Sequence, residues 1–118
     1  MERLKQRAEF LAAAKGAKVS GDAFVLQAFE RGDAGPPRFG FTVSKKVGNA
    51  VERNRVRRRL RDIVRRSDAL IAAGGHDYVL IGRRAALSTP FDRLMTDFAG
   101  ALNRIHGRRG ARPAKSSA

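Results

Sequence analysis

Between Asn49 and Arg66 the chain reads NAVERNRVRRRLRDIVRR, and no other stretch restricts its fold so tightly. Val56, Leu60, Ile63 and Val64 fall at i, i+4, i+7 and i+8, the spacing that lines one side of an α-helix and docks it on a core. Arg53, Arg57, Arg61 and Arg65 form a second row in steps of four. Asn49 stands where an N-cap belongs, and Glu52, three residues on, can reach back to the cap's own N–H, the reciprocal pattern of a capping box. The helix therefore begins just after Asn49. With Lys45 and Lys46 in the preceding turn, ten cations (Lys45, Lys46, Arg53, Arg55, Arg57, Arg58, Arg59, Arg61, Arg65, Arg66) face two anions, Glu52 and Asp62. Like charges four residues apart weaken a helix, so a run of one sign makes sense where a polyanion neutralises it. An ordinary solvated face mixes Glu with Lys; this one does not.

The rest of the composition points the same way. A chain of 118 residues with net charge +14 fits one domain, here residues 1–107, followed by a basic tail at 108–118 without apolar periodicity that reads as disordered. Nineteen of the apolar residues are alanine, so the core is modest, because transfer free energy scales with apolar area at about 25 cal/mol per Å². The absence of cysteine excludes disulfides, thiolate metal sites and cysteine nucleophiles and suits a reducing cytoplasm. No apolar run approaches the roughly 20 residues of a membrane span, and charges occupy the place of a signal peptide's apolar region. These features describe a soluble, cytoplasmic protein. A field this positive attracts anionic partners, with nucleic acid first and a membrane surface a weaker second, since the arginine helix backs onto aliphatics its own core needs.

Along the chain, Glu9 to Lys15 reads as a short helix carrying Phe10 and ending at Gly16. Lys18 to Phe29 reads as one strand in which Phe24, Leu26 and Ala28 alternate with Val25, Gln27 and Phe29. Glu30 to Pro37 is turn chemistry, which predicts a hairpin to the next strand, Arg38 to Ser44. There Phe39, Phe41 and Val43 point one way, while Gly40, Thr42 and Ser44 make a small, hydroxylic floor suited to a shallow cleft. Ala69 to Gly75 is an Ala/Gly-rich turn, and His76 to Arg83 is a third, buried strand. Thr89 as cap and Pro90 as first helical residue open a last helix with Phe91, Leu94, Met95, Phe98, Leu102 and Ile105 at helical spacing, ending at Gly107.

The segment from Phe39 to Arg65, FGFTVSKKVGNAVERNRVRRRLRDIVR, closely resembles the signature of the protein subunits of bacterial ribonuclease P. Arg53-Asn54-Arg55 is its centre, and the Phe-Gly-Phe strand, Ser44-Lys45-Lys46, Gly48-Asn49-Ala50-Val51 and Arg58 extend it. The order of elements agrees over almost the whole chain. The resemblance implies an α+β fold, a small sheet packed by helices in a sandwich like domain 2 of ribosomal protein S5, with a left-handed βαβ crossover against the usual right-handed rule. It implies a non-catalytic subunit of an endoribonuclease whose RNA removes the 5′ leader of precursor tRNA with magnesium, the protein holding no cofactor and entering the complex as a monomer. By the same likeness Lys45, Lys46, Asn49, Arg53, Asn54, Arg55, Arg57, Arg58, Arg61 and Arg65 meet the RNA subunit. Arg7, Phe10, Val25, Gln27, Phe29, Thr42 and Ser44 line a cleft for the single-stranded leader. The chain departs from the family in having Ala14 and Gln27 where an aromatic and a tyrosine are common. Stacking is worth about 1–3 kcal/mol per base, so the leader here leans more on Gln27 and on Arg3, Lys5 and Arg7.

A protein nuclease would need a carboxylate cluster for metal or a histidine pair. The eleven acidic residues are scattered at positions that suit caps and ion pairs, and His76 and His106 read as isolated. The glycine-rich segments lack the Lys-Ser/Thr ending of a phosphate loop. Three readings remain: the protein cofactor of an RNA enzyme, a general RNA-binding or ribosomal protein, and a helix-in-groove DNA binder. Preference for precursor over processed tRNA, plain salt sensitivity, or duplex sequence readout separates them.

Overall fold

Strand alternation decides which residues reach which layer. The computed structural model describes residues 2–67 and 75–110. Its elements are β1 (Glu2–Arg3), α1 (Arg7–Ala14), β2 (Ala17–Ser20), β3 (Phe24–Glu30), β4 (Arg38–Val43), α2 (Ala50–Arg66), β5 (His76–Gly82) and α3 (Phe91–Gly110), with 3-10 turns at Lys45–Val47 and Arg84–Leu87. The sheet runs β1-β4-β5-β3-β2. β1, β4 and β5 are parallel to one another, β3 is antiparallel to β5, and β2 is antiparallel to β3. The architecture is α+β, with α2 carrying the chain from β4 to its parallel neighbour β5.

One face of the sheet builds the main core. Phe24, Leu26 and Ala28 of β3, Phe39 and Val43 of β4, and Tyr78 and Leu80 of β5 meet Val56, Leu60, Ile63 and Val64 of α2 and Leu94, Phe98, Leu102 and Ile105 of α3. The apolar stripe of α2 thus docks as its spacing requires. The alternate residues lie under α1, where Leu4, Ala13 and Val79 are buried and Phe10, Phe29 and Ile81 are partly so. Arg38 and Asp77, adjacent in the β4–β5 register, share that face. Arg38 Nε and Nη2 each donate to Asp77 at 2.8 Å, Arg31 Nη1 donates to it at 2.6 Å, and Arg38 Nη1 reaches Glu9 at 2.8 Å. Glu9 Oε1 also accepts from the backbone of Lys5 and Gln6, so one ion network ties the start of α1 to the middle of the sheet.

Several sequence expectations need correction. Lys18 to Phe29 is two strands, because Gly21 donates to the Phe24 carbonyl at 2.9 Å and closes a tight β2–β3 hairpin. The hairpin predicted across 30–37 does not form: β5 lies between β3 and β4, and the intervening segment ties instead to the start of β5, with Arg31 N–H donating to Gly75 and Gly75 N–H to Gly35. Thr89 does not cap α3, since its hydroxyl donates to Ala85 O at 2.7 Å, and α3 extends past Gly107 to Gly110. The histidines are not isolated. His76 and His106 meet edge to face with centroids 5.2 Å apart, and Tyr78 Oη is hydrogen-bonded to His106 Nε2 at 2.8 Å. β1 was not foreseen. The expected turn at 69–75, apart from Gly75, and most of the expected tail lie outside the described residues.

Candidate nucleic-acid interface

The basic helix is held from its first turn. Asn49 Oδ1 accepts from Glu52 N at 2.9 Å and Glu52 Oε1 accepts from Asn49 N at 3.0 Å, completing the predicted capping box. A Cβ at Gly48 would lie 2.1 Å from Glu52 Oε1, so this cap requires glycine before it. The backbone hydrogen bond from Asn49, then Arg84, hold the Glu52 carboxyl below its ordinary range, and its charge is spent on the cap. Ser44 caps the preceding 3-10 turn by accepting from Lys46 N, and Lys45 and Lys46 stand exposed on that turn.

From there the helix sorts its cations by direction. Asn54, Arg55, Arg58 and Arg65 are exposed, and Arg53, Arg57 and Arg61 are half-buried. Arg53 donates to the Gly48 carbonyl at 3.0 Å, and Arg57 donates to Asn54 Oδ1 at 2.8 Å, which leaves the Asn54 amide N–H groups facing outward. Two arginines of the run turn away: Arg59 donates to the Thr89 carbonyl, and the Arg66 guanidinium lies 5.4 Å from the centre of the Phe91 ring. The remaining guanidinium groups crowd together. Burial, followed by the charges of Arg3, Arg57, Arg58 and Arg65, lowers the pKa of Arg61. All ten positions expected to meet the RNA subunit, from Lys45 to Arg65, therefore lie on one turn and one helix.

The seven cleft positions are less uniform. Phe10 lies directly on Gly40, where an added Cβ would come within 2.4 Å of its ring. The small floor expected of β4 is thus filled by the aromatic expected of α1. Val25 and Gln27 are only 8% and 6% exposed, on the sheet face that α1 covers beside Val79 and Ile81. Phe29 and Thr42 are half-buried, and Arg7 and Ser44 are exposed. Sequence reasoning missed Arg31, Arg38 and Asp77, which position α1. Burial raises the pKa of the Asp77 carboxyl, but the hydrogen bonds and charges of Arg38 and Arg31 outweigh it and the net shift is downward. Among the described residues no three His, Cys, Asp or Glu side chains group to hold a metal ion, and no helix is long and apolar enough to cross a membrane.

Comparison with known proteins adds a consistent set of likenesses. A family model described as Ribonuclease P matches residues 1–106. A ribonuclease P protein component from Gluconacetobacter diazotrophicus is 51% identical over 110 residues, covering 92% of this chain and 94% of its own length. Its counterpart from Ruegeria pomeroyi is 45% identical, covering 87% and 85%. Among solved structures, the RNase P protein from Thermotoga maritima superposes with a TM-score of 0.75 at 30% identity, covering 89% of this chain and 98% of that one. The Staphylococcus aureus RNase P protein gives 0.71 at 26% identity, covering 93% and 96%.

Proposed function

The chain belongs to the ribonuclease P protein family and is a protein component of that enzyme; from that premise we propose that it binds a catalytic RNA and the 5′ leader of precursor tRNA together, so that the RNA can remove the leader. The observation that carries this reading is the outward face of α2, where Asn54, Arg55 and Arg58 are exposed beside the half-buried Arg53 on a helix whose Val56, Leu60 and Ile63 are fully buried. A planar guanidinium fork matches phosphate oxygens, and a rigid helix presents several at fixed spacing. Lys45, Lys46, Asn49, Arg57, Arg61 and Arg65 extend that contact to the RNA subunit. The leader runs past Arg7, Phe10, Phe29, Thr42 and Ser44, with Val25 and Gln27 supporting it from beneath.

Hydrolysis belongs to the RNA, whose phosphates hold the magnesium ions; no protein-held cofactor enters the proposal. The protein acts as a monomer in the cytoplasm, and the β4–α2–β5 unit is read as the left-handed crossover of an S5-domain-2-like sandwich. Adding the protein to a bacterial ribonuclease P RNA at low magnesium tests the function. The expected result is faster 5′ leader removal and tighter binding of precursor than of mature tRNA. With about six phosphates contacted, log affinity should fall with log salt at a slope on the order of −4 to −5. Folded protein that leaves a competent RNA unaided, or binds both tRNA forms equally, would favour a general RNA-binding or ribosomal role instead.

A further inference from the structure

The sheet ends at β2, and the pairing of that strand fixes which of its backbone groups are used. Gly21 donates to the Phe24 carbonyl at 2.9 Å and Val19 is set opposite Leu26, so Ser20, between them, turns its N–H and C=O away from β3. Beside this edge runs α3. Between the two lies a cavity of about 190 Å³ lined by Val19, Ser20 and Asp22 and by Arg93, Ala101 and Arg104 of α3. A second space of about 240 Å³ shares Asp22, Arg93 and Asp97 with the first and continues it to Pro90. Together they form one groove.

Its chemistry narrows the occupant. From Arg93 to Arg104 the helix rises about 16 Å at about 1.5 Å per residue, the reach of about five extended residues at about 3.3 Å each. An RNA strand fits poorly, because Asp22 and Asp97 would face its phosphates, and Phe24, the one aromatic in the lining among the described residues, is 3% exposed and offers no ring to a base. A second copy fits poorly too, since each chain carries a net charge of +14. A peptide strand suits it: an open sheet edge takes an added strand through backbone hydrogen bonds, with alternate side chains read by the walls. Those walls are charged at both ends. Among the described residues neither Arg104 nor Asp22 has an ion-pair partner, and Arg93 is held only by Asp97 at 3.5 Å.

We propose that this groove docks an extended peptide segment of a protein partner, which pairs with the edge of β2 at Ser20, lays a small apolar side chain on Val19 and Ala101, and sets a carboxylate on Arg104 and a cation on Asp22. None of the positions read above as RNA contacts lines the groove. A protein can therefore be held there while α2 is engaged with the catalytic RNA, and the surface serves recruitment rather than the chemistry of leader removal.

The test uses the full chain, free and reconstituted with a catalytic RNA, and an array of synthetic peptides about seven residues long in which valine alternates with serine, glutamate or lysine in every permutation. Peptides that carry one glutamate and one lysine are expected to bind best. In Arg104→Glu the preference should move to peptides with two lysines, and the best mixed peptide should weaken roughly tenfold or more, with 5′ leader removal unchanged. N-methylation scanned along that peptide should abolish binding at alternate positions, and hydrogen exchange at the Ser20 amide should slow when it binds. A preference for two glutamates that survives Arg104→Glu reports only attraction to a strongly basic chain and overturns the groove. Indifference to N-methylation, an unchanged Ser20 amide, or no peptide that saturates overturns it as well. Loss of bound peptide on adding the catalytic RNA would assign the groove to RNA and also overturns it. Leader removal is read separately, so each of these outcomes leaves the proposed function to its own test.

Discussion

The two faces of the sheet are held by different physics. Toward α2 and α3, large side chains such as Leu26, Tyr78, Leu80, Leu60, Phe98 and Ile105 are fully buried in one continuous cluster. Toward α1 the buried apolar side chains are small or few, Leu4, Ala13, Val25 and Val79 beside the polar Gln27, with Phe10, Phe29 and Ile81 partly covered, and Asp77 with Arg38, Arg31 and Glu9 supplies the attachment that apolar area does not. Burying a large aliphatic side chain is worth about 1.5–3 kcal/mol, and an alanine far less. The first face therefore carries stability and holds the arginine helix rigid. The second leaves Phe10 partly covered over Gly40 and relies on the ion network to hold α1.

Breaking the first face should have the largest effect. Leu60→Ala removes a fully buried side chain of α2 and should cost about 2–5 kcal/mol in chemical denaturation; a loss under about 1 kcal/mol would mean the stripe does not anchor the helix. Asp77→Asn attacks the other face. Its side chain is 3% exposed and accepts from two guanidinium groups, so the loss should be about 1.5–3 kcal/mol, with precursor affinity falling as α1 and Phe10 loosen. The pH dependence sharpens the attribution. The folded pKa of Asp77 is depressed, so its contribution is present above the unfolded value of about 3.9 and lost as pH falls through the lower folded one. The Asp77→Asn variant should lack that share of the acid loss, and an unchanged profile below about pH 4 would refute the network's role.

How far these faces could be read in advance depends on sequence distance. The α2 stripe, its capping box and its basic rows are local, set by side chains three and four residues apart, and all were legible. So was the alternation that separates Phe39, Phe41 and Val43 from Gly40 and Thr42. Strand pairing was not: a parallel partner arrives only after a crossover, so nothing near Arg38 says that β5 rather than β3 will lie beside it. The β2–β3 turn escaped because both faces of β3 are largely covered, which leaves little polarity contrast to mark its start. Asp77 lies 46 residues from Arg31 and 39 from Arg38, beyond any periodic signal. Within the basic run, Arg59 and Arg66 are chemically identical to their neighbours, and only the rotation of the helix sends them to Thr89 and Phe91.

A smaller effect tests the edge of the large core. Burial, followed by the neighbouring His76, holds the pKa of His106 below its ordinary value, and burial pushes the Tyr78 hydroxyl up to about 12, so it stays protonated beside His106 Nε2. With the folded pKa depressed, the unfolded chain takes up the proton first as pH drops below about 6.5. Stability contributed by neutral His106 is present above that pH and declines toward the folded value. His106→Gln should flatten the change in denaturation midpoint between about pH 7.5 and 5.5; an equally steep change in the variant would place the titration elsewhere.

The smallest expected change in stability is the most informative about function. Arg58 is exposed, and no ion pair holds it among the described residues, so Arg58→Ala should leave denaturation within about 0.5 kcal/mol of the unsubstituted protein. Its guanidinium nevertheless sits in the crowd that disfavours the charge on Arg61. If it meets a phosphate, its removal should weaken binding to the catalytic RNA and reduce the magnitude of the log–log salt slope by about 1, with no change in preference among RNA sequences. Arg59→Ala provides the contrast from the same helix. That side chain is committed to the Thr89 carbonyl, so it should lower stability and leave the slope unaltered. If the two variants behaved alike, the division of one arginine run into a part that binds and a part that holds the fold would be untenable.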